Sequence, residues 1–423
     1  MKAGFGKAKI TPKLGVELSG YGYFLGRRAE SVMDDLYARC IALEEEGKRY
    51  YIISCDLTGI GREPIDKANE MLKEEYKAGE SSLFICSTHT HTGPSGGKEY
   101  VGCGEANTEY SLYLPDKIVE SAKNAVMDIG EVECVESSQK EIEPVGYNRS
   151  MQGGPEDHFV RGLLLRRRDK NDIALVSYGC HPVTLGCIAA VSADYPGKVC
   201  EAMEKASIDA VFLTGLCGDI DPVSNKTAWG SGTVDTITGY GARIAEGFLS
   251  GISDKSEKSE TSPKLRYHVI DVDLPCGPFD KEKIKATADK ILSEHTSDAR
   301  SEAHKKVVAA WRDHMFKRIE RGEDISAEKG KAFVLSLGDN IVMGINYETF
   351  TEIGMNIRKA LAGKNIIIAG NADESLGYFP SEQKLGETGY ESFASSFLYK
   401  KLPLRKGAAD LFVASVIEGI SKK

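Results

Sequence analysis

The sequence predicts an α/β fold: mixed β-sheets flanked by α-helices, with a peripheral helical hairpin. Three observations predict it. Short β-branched apolar runs recur along the chain, each bounded by Gly, Asp or Asn. Amphipathic helical segments alternate with them, the pattern of α/β proteins. One stretch, at about 279–322, is dense in Lys, Glu, Asp, Arg and Ala and has little strand character.

In chain order, the strand segments are YYIISCDL (50–57), SLFICST (82–88), DIALVSYGC (172–180), DAVFLTGLCGD (209–219), NIVMGINYE (340–348) and NIIIAGNAD (365–373). Runs this apolar on both faces fit buried strands rather than half-solvated ones. Helical periodicity marks 63–78, 115–129, 197–206, 239–249, 349–361 and 407–420. The Gly-rich patch GSGTVDTITGYG (230–241) lacks dinucleotide-loop spacing and reads as loop. SDKSEKSETS (253–262) reads as a solvated linker, and 279–322 as a helical hairpin packed outside the sheet domain. His295, His304 and His314 fall in that hairpin and are expected at a solvated surface. No internal repeat is visible at the periods typical of solenoids.

Composition narrows the function classes. The 423 residues are 41% hydrophobic and 28% charged, with a net charge of −9. That excludes disorder and makes a nucleic-acid partner a poor fit, since a phosphate backbone calls for a basic surface. The uncharged run 173–193 contains His181, Pro182 and two glycines, so it reads as strand, loop and strand rather than as a membrane span. The ten cysteines sit singly, with no CxxC pair, and no signal peptide is visible. These cues predict a cytoplasmic protein with reduced thiols, no stable membrane insertion and room for homo-oligomerisation.

The residues that could carry chemistry begin with STHTHTGP (87–94). Residues i and i+2 of an extended chain point to one side. His89 and His91 therefore converge where a strand ends, as a metal site needs, or they bond to nearby backbone. His181 is likewise delivered by an apolar strand into a loop. His158 and His268 stand isolated in polar context. A catalytic metal usually has three protein ligands and an open position. Strand-end carboxylates that could complete such a set are Asp56, Asp194, Asp219, Asp221, Glu348 and Asp373, and spacing does not choose among them. No Walker A loop is present. Cys86, Cys180 and Cys217 read as buried, inert thiols.

Several blocks, in order and over nearly the whole chain, resemble the neutral (alkaline, non-lysosomal) ceramidase family of zinc-dependent amidases. They are KAKITPKLGVELSGY (7–21), STHTHTGP (87–94), YNRS (147–150), GCHPVTLG (179–186) with SADYPG (192–197), TGLCGDIDP (214–222), INYETFTEIGMNIRK (345–359) and SLGYFPSEQ (375–383), followed by Tyr390. The resemblance implies that His89, His181, Glu348 and Tyr378 hold Zn²⁺. It implies that His91, Arg149 and Tyr390 surround the reacting carbonyl. Asp221 stands where the family's ceramidases carry a serine proposed as catalytic, which favours attack by metal-activated water, with Asp221 as a base, a substrate contact or a turn residue. Tyr347 replaces a glycine usual in the family. The resemblance implies a single catalytic domain over 1–423, with a helical insertion at about 279–322 and no C-terminal β domain. The expected reaction is hydrolysis of a linear amide in a small soluble or lightly acylated substrate. The alternatives are a non-catalytic ligand-binding homologue and an amidohydrolase acting on a cyclic amide. Substrate selection falls to the loops at 96–111 and 225–238.

Overall fold

A computed structural model describes residues 1–21, 26–76, 82–98, 100, 104–253, 259–260, 263–293 and 299–422. Cys103, His295 and most of the polar stretch 253–262 lie outside the described residues. The architecture is α/β, with mixed sheets flanked by helices.

One arrangement recurs three times. A first strand pairs antiparallel with a second, the second antiparallel with a third, a helix follows, a fourth strand returns parallel to the third, and a second helix closes the unit. In the first unit the strands are Lys2–Lys9, Tyr37–Glu45, Lys48–Cys55 and Ser82–Ser87, with helices Arg62–Tyr76 and Thr108–Met127. In the second they are Gly130–Glu141, Phe159–Arg167, Ile173–Tyr178 and Asp209–Thr214, with helices Asp194–Lys205 and Val234–Ser253. In the third they are Leu265–Pro275, Ala327–Leu337, Asn340–Ile345 and Asn365–Ala369, with helices Thr351–Ala360 and Ala408–Ser421. Two further helices, Lys281–Ser293 and Ala299–Glu320, stand between the first and second strands of the third unit. The parallel third and fourth strands are joined through a helix, as parallel pairing requires.

In each unit the closing helix packs on the first strand. The approach in the first unit is close enough to demand glycine. A Cβ on Gly6 would lie 2.3 Å from the Ala125 nitrogen and the Ser121 carbonyl oxygen. The first and second units join edge to edge through Lys2 and Ala3, opposite Glu131 and Gly130, into one nine-stranded sheet. The third unit forms its own four-stranded sheet.

The third and fourth strands of all three units share one core, to which they contribute Ile52, Phe84, Leu175, Val211, Val342 and Ile367. Beyond that core the ends of the three fourth strands bond to one another. The Thr214 hydroxyl donates to the Thr88 carbonyl at 2.6 Å, the Gly370 amide to the Thr214 carbonyl at 3.0 Å, and the Ser87 amide to the Asn371 carbonyl at 3.1 Å. This ring brings the loops that leave the sheets to one place.

Two expectations are corrected. His304 and His314 are half-buried, because helix Ala299–Glu320 buries Val307, Val308, Trp311 and Met315 and draws the flanking histidines down with that face. The patch 230–241 is not all loop: a helix starts within it at Val234. The Thr233 hydroxyl accepts the Thr236 amide hydrogen at 3.3 Å, which satisfies one of the amides a helix start leaves unpaired. Among the described residues no helix is long and apolar enough to cross a membrane, and the nine described cysteines are all free thiols.

Candidate metal centre

The loops that follow the third strands supply equivalent positions. The third residue beyond the strand is Thr58 in the first unit, His181 in the second and Glu348 in the third. His89 enters from the first unit's fourth strand, two residues beyond Ser87, in the left-handed region at φ 67°. A non-glycine residue held there marks a local constraint. The constraint is visible: the His89 amide donates to the Leu57 carbonyl at 2.9 Å, and its ring Nδ1 lies 2.6 Å from the Thr58 carbonyl oxygen.

The hydrogen bonds fix the tautomers. A carbonyl oxygen only accepts, so Nδ1 of His89 carries a proton toward Thr58, and Nδ1 of His181 carries one toward the Cys217 carbonyl at 2.5 Å. Both rings then present an Nε2 lone pair inward. Glu348 Oε2 lies 3.2 Å from Nε2 of His89 and 3.3 Å from Nε2 of His181. Three acceptors converging at such distances in a buried site repel one another unless a cation lies among them. A ring oriented by its outer N–H on a backbone carbonyl is the usual support of a metal-binding histidine.

Glu348 and Tyr378 stand side by side because the short strands Glu348–Thr349 and Tyr378–Phe379 pair in parallel with those two residues in register. The Tyr378 hydroxyl lies 3.5 Å from Nε2 of His181. The four side chains that the family resemblance implies as a metal-binding set therefore stand next to one another. Two imidazoles and a carboxylate, with a phenol beside them, could hold a metal ion.

His91 joins the same cluster. His89, His91 and His181 offer nitrogens that all lie within 4.8 Å of one another, so the three could hold a metal ion. The tautomer separates His91 from the other two. Its Nδ1 accepts the Tyr21 amide hydrogen at 3.3 Å, so in the neutral ring Nε2 carries the proton, 3.2 Å from Nε2 of His89. As bonded here, His91 offers the centre a donor rather than a lone pair. Burial, with His89 and His181 nearby, holds the His91 imidazolium well below the usual histidine range. Burial and Arg149 lower His181 likewise. Burial and Glu348 push the Tyr378 phenol well above its ordinary value.

Arg149 follows the strand Gly146–Asn148, which pairs antiparallel with Ile220–Pro222. That pairing puts Arg149 beside Asp221. Nη1 donates to Asp221 at 2.8 Å, Nε to Glu391 at 3.2 Å, and Nη2 to the Tyr378 hydroxyl at 3.0 Å and the Gly218 carbonyl at 3.2 Å. A guanidinium has five N–H donors, so these bonds leave one on Nη1. The Asp221 carboxylate is buried and turned onto Arg149.

A cavity of about 260 Å³ opens over the centre, lined by His89, His91, Arg149, Glu348, Tyr378 and Tyr390. Tyr390 is 40% exposed at its rim, with its ring 5.7 Å from that of Tyr378. His181 and Asp221 lie behind the wall rather than on it. Tyr100 and Trp229, from the loops 96–111 and 225–238, also line it. Sequence reasoning missed Tyr21 and Tyr399, which line it as well, and Lys98, whose ammonium lies over the Tyr399 ring. Nothing in the spacing of these three flags them, since each is brought in by a separate element.

Neither isolated histidine reaches the centre. The His158 ring is 3.0 Å from Glu156, away from the cavity, and His268 lies on the first strand of the third unit. Of the remaining carboxylates, Asp219 accepts from the Thr351 amide and hydroxyl, each at 2.9 Å, and from Asn148 at 2.8 Å. It stitches the second unit to the third. Asp56 pairs with buried Arg39 at 2.6 Å, Asp194 accepts the Thr184 amide at 3.0 Å, and Asp373 pairs with Arg62.

No protein-family model matches the chain. The neutral ceramidase of Pseudomonas aeruginosa is 30% identical over 146 residues, which cover 33% of this chain and 20% of that protein. The match therefore spans a fifth of the relative's length. The crystal structure of neutral ceramidase from Pseudomonas aeruginosa matches 100% of this chain and 74% of its own, with TM-score 0.74 and 16% identity. A ceramidase complexed with C2 matches at TM-score 0.75 and 16% identity, over 100% of this chain and 75% of its own. The chain thus shares the fold of these ceramidases along its whole length, and its sequence is similar to that of the Pseudomonas aeruginosa neutral ceramidase over a third of it.

Proposed function

We propose that this chain is a zinc-dependent hydrolase of linear amide bonds, acting in the cytoplasm on a small soluble or lightly acylated substrate. The observation that carries the reading is the convergence of the His89 and His181 Nε2 lone pairs on Glu348 Oε2. The similarity to a protein named neutral ceramidase supports amide hydrolysis as the reaction. Free, mostly buried thiols support a reducing compartment.

His89, His181, Glu348 and Tyr378 would hold the ion, which would polarise a substrate carbonyl and make water nucleophilic near neutral pH. The other residues divide the remaining work. The spare Nη1 hydrogen of Arg149 can donate to an oxygen that gains charge as the amide carbon becomes tetrahedral. Its other bonds hold it still, so that donor costs little reorganisation. Tyr390, at the rim, completes the polar wall around the same oxygen. His91, neutral and carrying its proton at Nε2, can donate a hydrogen bond from that nitrogen to a polar atom of the bound substrate. Asp221 acts through Arg149, as the carboxylate that pins it, rather than on the substrate.

The test joins metal analysis to an amide panel. The protein should carry about one zinc per chain, hydrolyse at least one N-acyl amine, and lose turnover with a chelator. His181→Ala should lose metal and activity together, with metal affinity falling by more than the ~100-fold upper range seen when only a supporting residue is removed. A folded protein that takes up no zinc would overturn the proposal.

A further inference from the structure

We infer that Tyr399, backed by Lys98, is a positioning residue that sets which oxygen of Glu348 faces the metal; the inference rests on reading Glu348 as a ligand. The Tyr399 hydroxyl donates to Glu348 Oε1. With Oε1 engaged, Oε2 is the oxygen turned to His89 and His181. Tyr399 is itself held. Its ring lies against Gly377, where a Cβ would come within 2.8 Å of the Tyr399 Cγ and Cδ2 and where φ is +102°. The Gly377 carbonyl accepts the Glu348 amide hydrogen at 2.8 Å. Glycine at 377 thus lets the phenol reach the carboxylate from the same backbone that anchors it.

Behind the ring is a cation with few other reasons to be there. Lys98 is 8% exposed, and its Nζ lies 4.9 Å from the Tyr399 ring centroid and 5.4 Å from that of Tyr100. Among the described residues the ammonium finds no hydrogen-bond partner. A buried group with three N–H donors and no acceptor is costly, so its retention needs a compensating gain. A cation over a phenol face draws electron density from the ring, which strengthens the hydroxyl as a donor. That hydroxyl is the one on Glu348. Burial takes Lys98 down to about 8, which leaves it mostly charged at neutral pH.

The experiment measures Zn²⁺ affinity by competition with a chromophoric chelator, alongside circular dichroism of the metal-free proteins. Tyr399→Phe should keep its fold and raise the Zn²⁺ Kd by about 10- to 100-fold, the range for supporting residues of metal sites. Lys98→Met, which keeps the stem and removes the charge, should raise it by about 2- to 30-fold. The double variant should bind no more weakly than Tyr399→Phe alone, because the lysine acts through the ring. Glu348→Gln separates the two levels. If it loses Zn²⁺ while Tyr399→Phe binds as the parent does, the positioning role is overturned and the ligand reading stands. If Glu348→Gln binds as the parent does, the ligand reading falls and takes the inference with it. Additive effects in the double variant would overturn the dependence of Lys98 on Tyr399. Should Tyr399→Phe fail to fold, an unchanged Kd in Lys98→Met would overturn the inference on its own.

Discussion

The first two units and the third unit follow the same order of strands and helices, yet they hold the side chains of the candidate metal centre by different means. His89 and His181 are fixed by main chain: each ring bonds a backbone carbonyl, and His89 sits in a constrained backbone conformation. Glu348 and Tyr378 come from the third unit and are fixed by other side chains, Tyr399 on the carboxylate and Arg149 on the phenol. A wall held by backbone depends on the fold alone. A wall held by side chains can be loosened one residue at a time, and that is where substitutions should separate metal binding from turnover.

The largest effect that keeps the metal should come from Arg149. Arg149→Met removes the spare donor and the bond to Tyr378, while both histidines and Glu348 keep their own supports. We expect kcat to fall by about 10²- to 10³-fold, the cost of losing one oxyanion donor. Zinc content should stay near one per chain. Loss of the metal in Arg149→Met would show that the side-chain wall does not stand independently of the histidines.

A smaller loss should follow from Asp221→Asn. The carboxylate is behind the cavity wall, where it accepts from Arg149. An amide can still accept one hydrogen bond, so the variant loses charge and precision rather than the contact. We expect kcat to fall by about tenfold, on the order of the ~1.5 kcal/mol low end for a hydrogen bond to a charged group, with KM little changed. If Asp221→Asn cost as much as Arg149→Met, Asp221 would have to touch the reacting atoms itself.

The same division explains what the sequence could reveal. The six strand segments read from it are the third and fourth strands of the three units, covered on both faces and therefore continuous in Val, Ile and Leu. The six missed are the first and second strands. In Gly130–Glu141, GEVECVESSQKE, one face meets water and charges break the apolar run; Tyr37–Glu45 and Phe159–Arg167 are buried over most of their length, and there only the arginines and glutamates at and near the ends interrupt the apolar pattern. The threefold repetition was hidden because it lies in pairing order, while the residues at equivalent loop positions, Thr58, His181 and Glu348, share no chemistry. In the centre, His89 and His181 stood out as histidines at strand ends. Glu348 was one of six candidate strand-end carboxylates, and only the family resemblance singled it out; Tyr378 was visible through that resemblance alone, since tyrosines at loop starts are common. Tyr399 and Lys98 were not visible at all, because tertiary packing sets their partners. Tyr399 reaches Glu348 across 51 residues of chain, and Lys98 comes to the same ring from the first unit.

A stability measurement tests the seam between the two kinds of wall. Asp219 joins the Asn148–Arg149 segment of the second unit to Thr351 of the third, just past Glu348. Burial pushes its carboxyl up to about 6 in spite of the hydrogen bonds that lower it. In the unfolded chain an aspartate titrates near its ordinary value of 3.8. Between those two values the folded protein binds more protons at this site than the unfolded one does, so stability declines as pH rises across the window and levels off above about 6. The slope is at most about 1.4 kcal/mol per pH unit for one group. Asp219→Asn carries no titrating group and should lack it. Chemical denaturation of the metal-free parent and variant at pH 4, 5, 6 and 7 gives the difference. The variant's stability relative to the parent should rise from pH 4 to 6 and stay flat from 6 to 7. Any fixed penalty from the amide, whose nitrogen would face the Asn148 amide nitrogen, drops out because only the slope is compared. A difference that does not change with pH would mean that Asp219 titrates alike in the folded and unfolded chain, and that the seam is well solvated rather than buried.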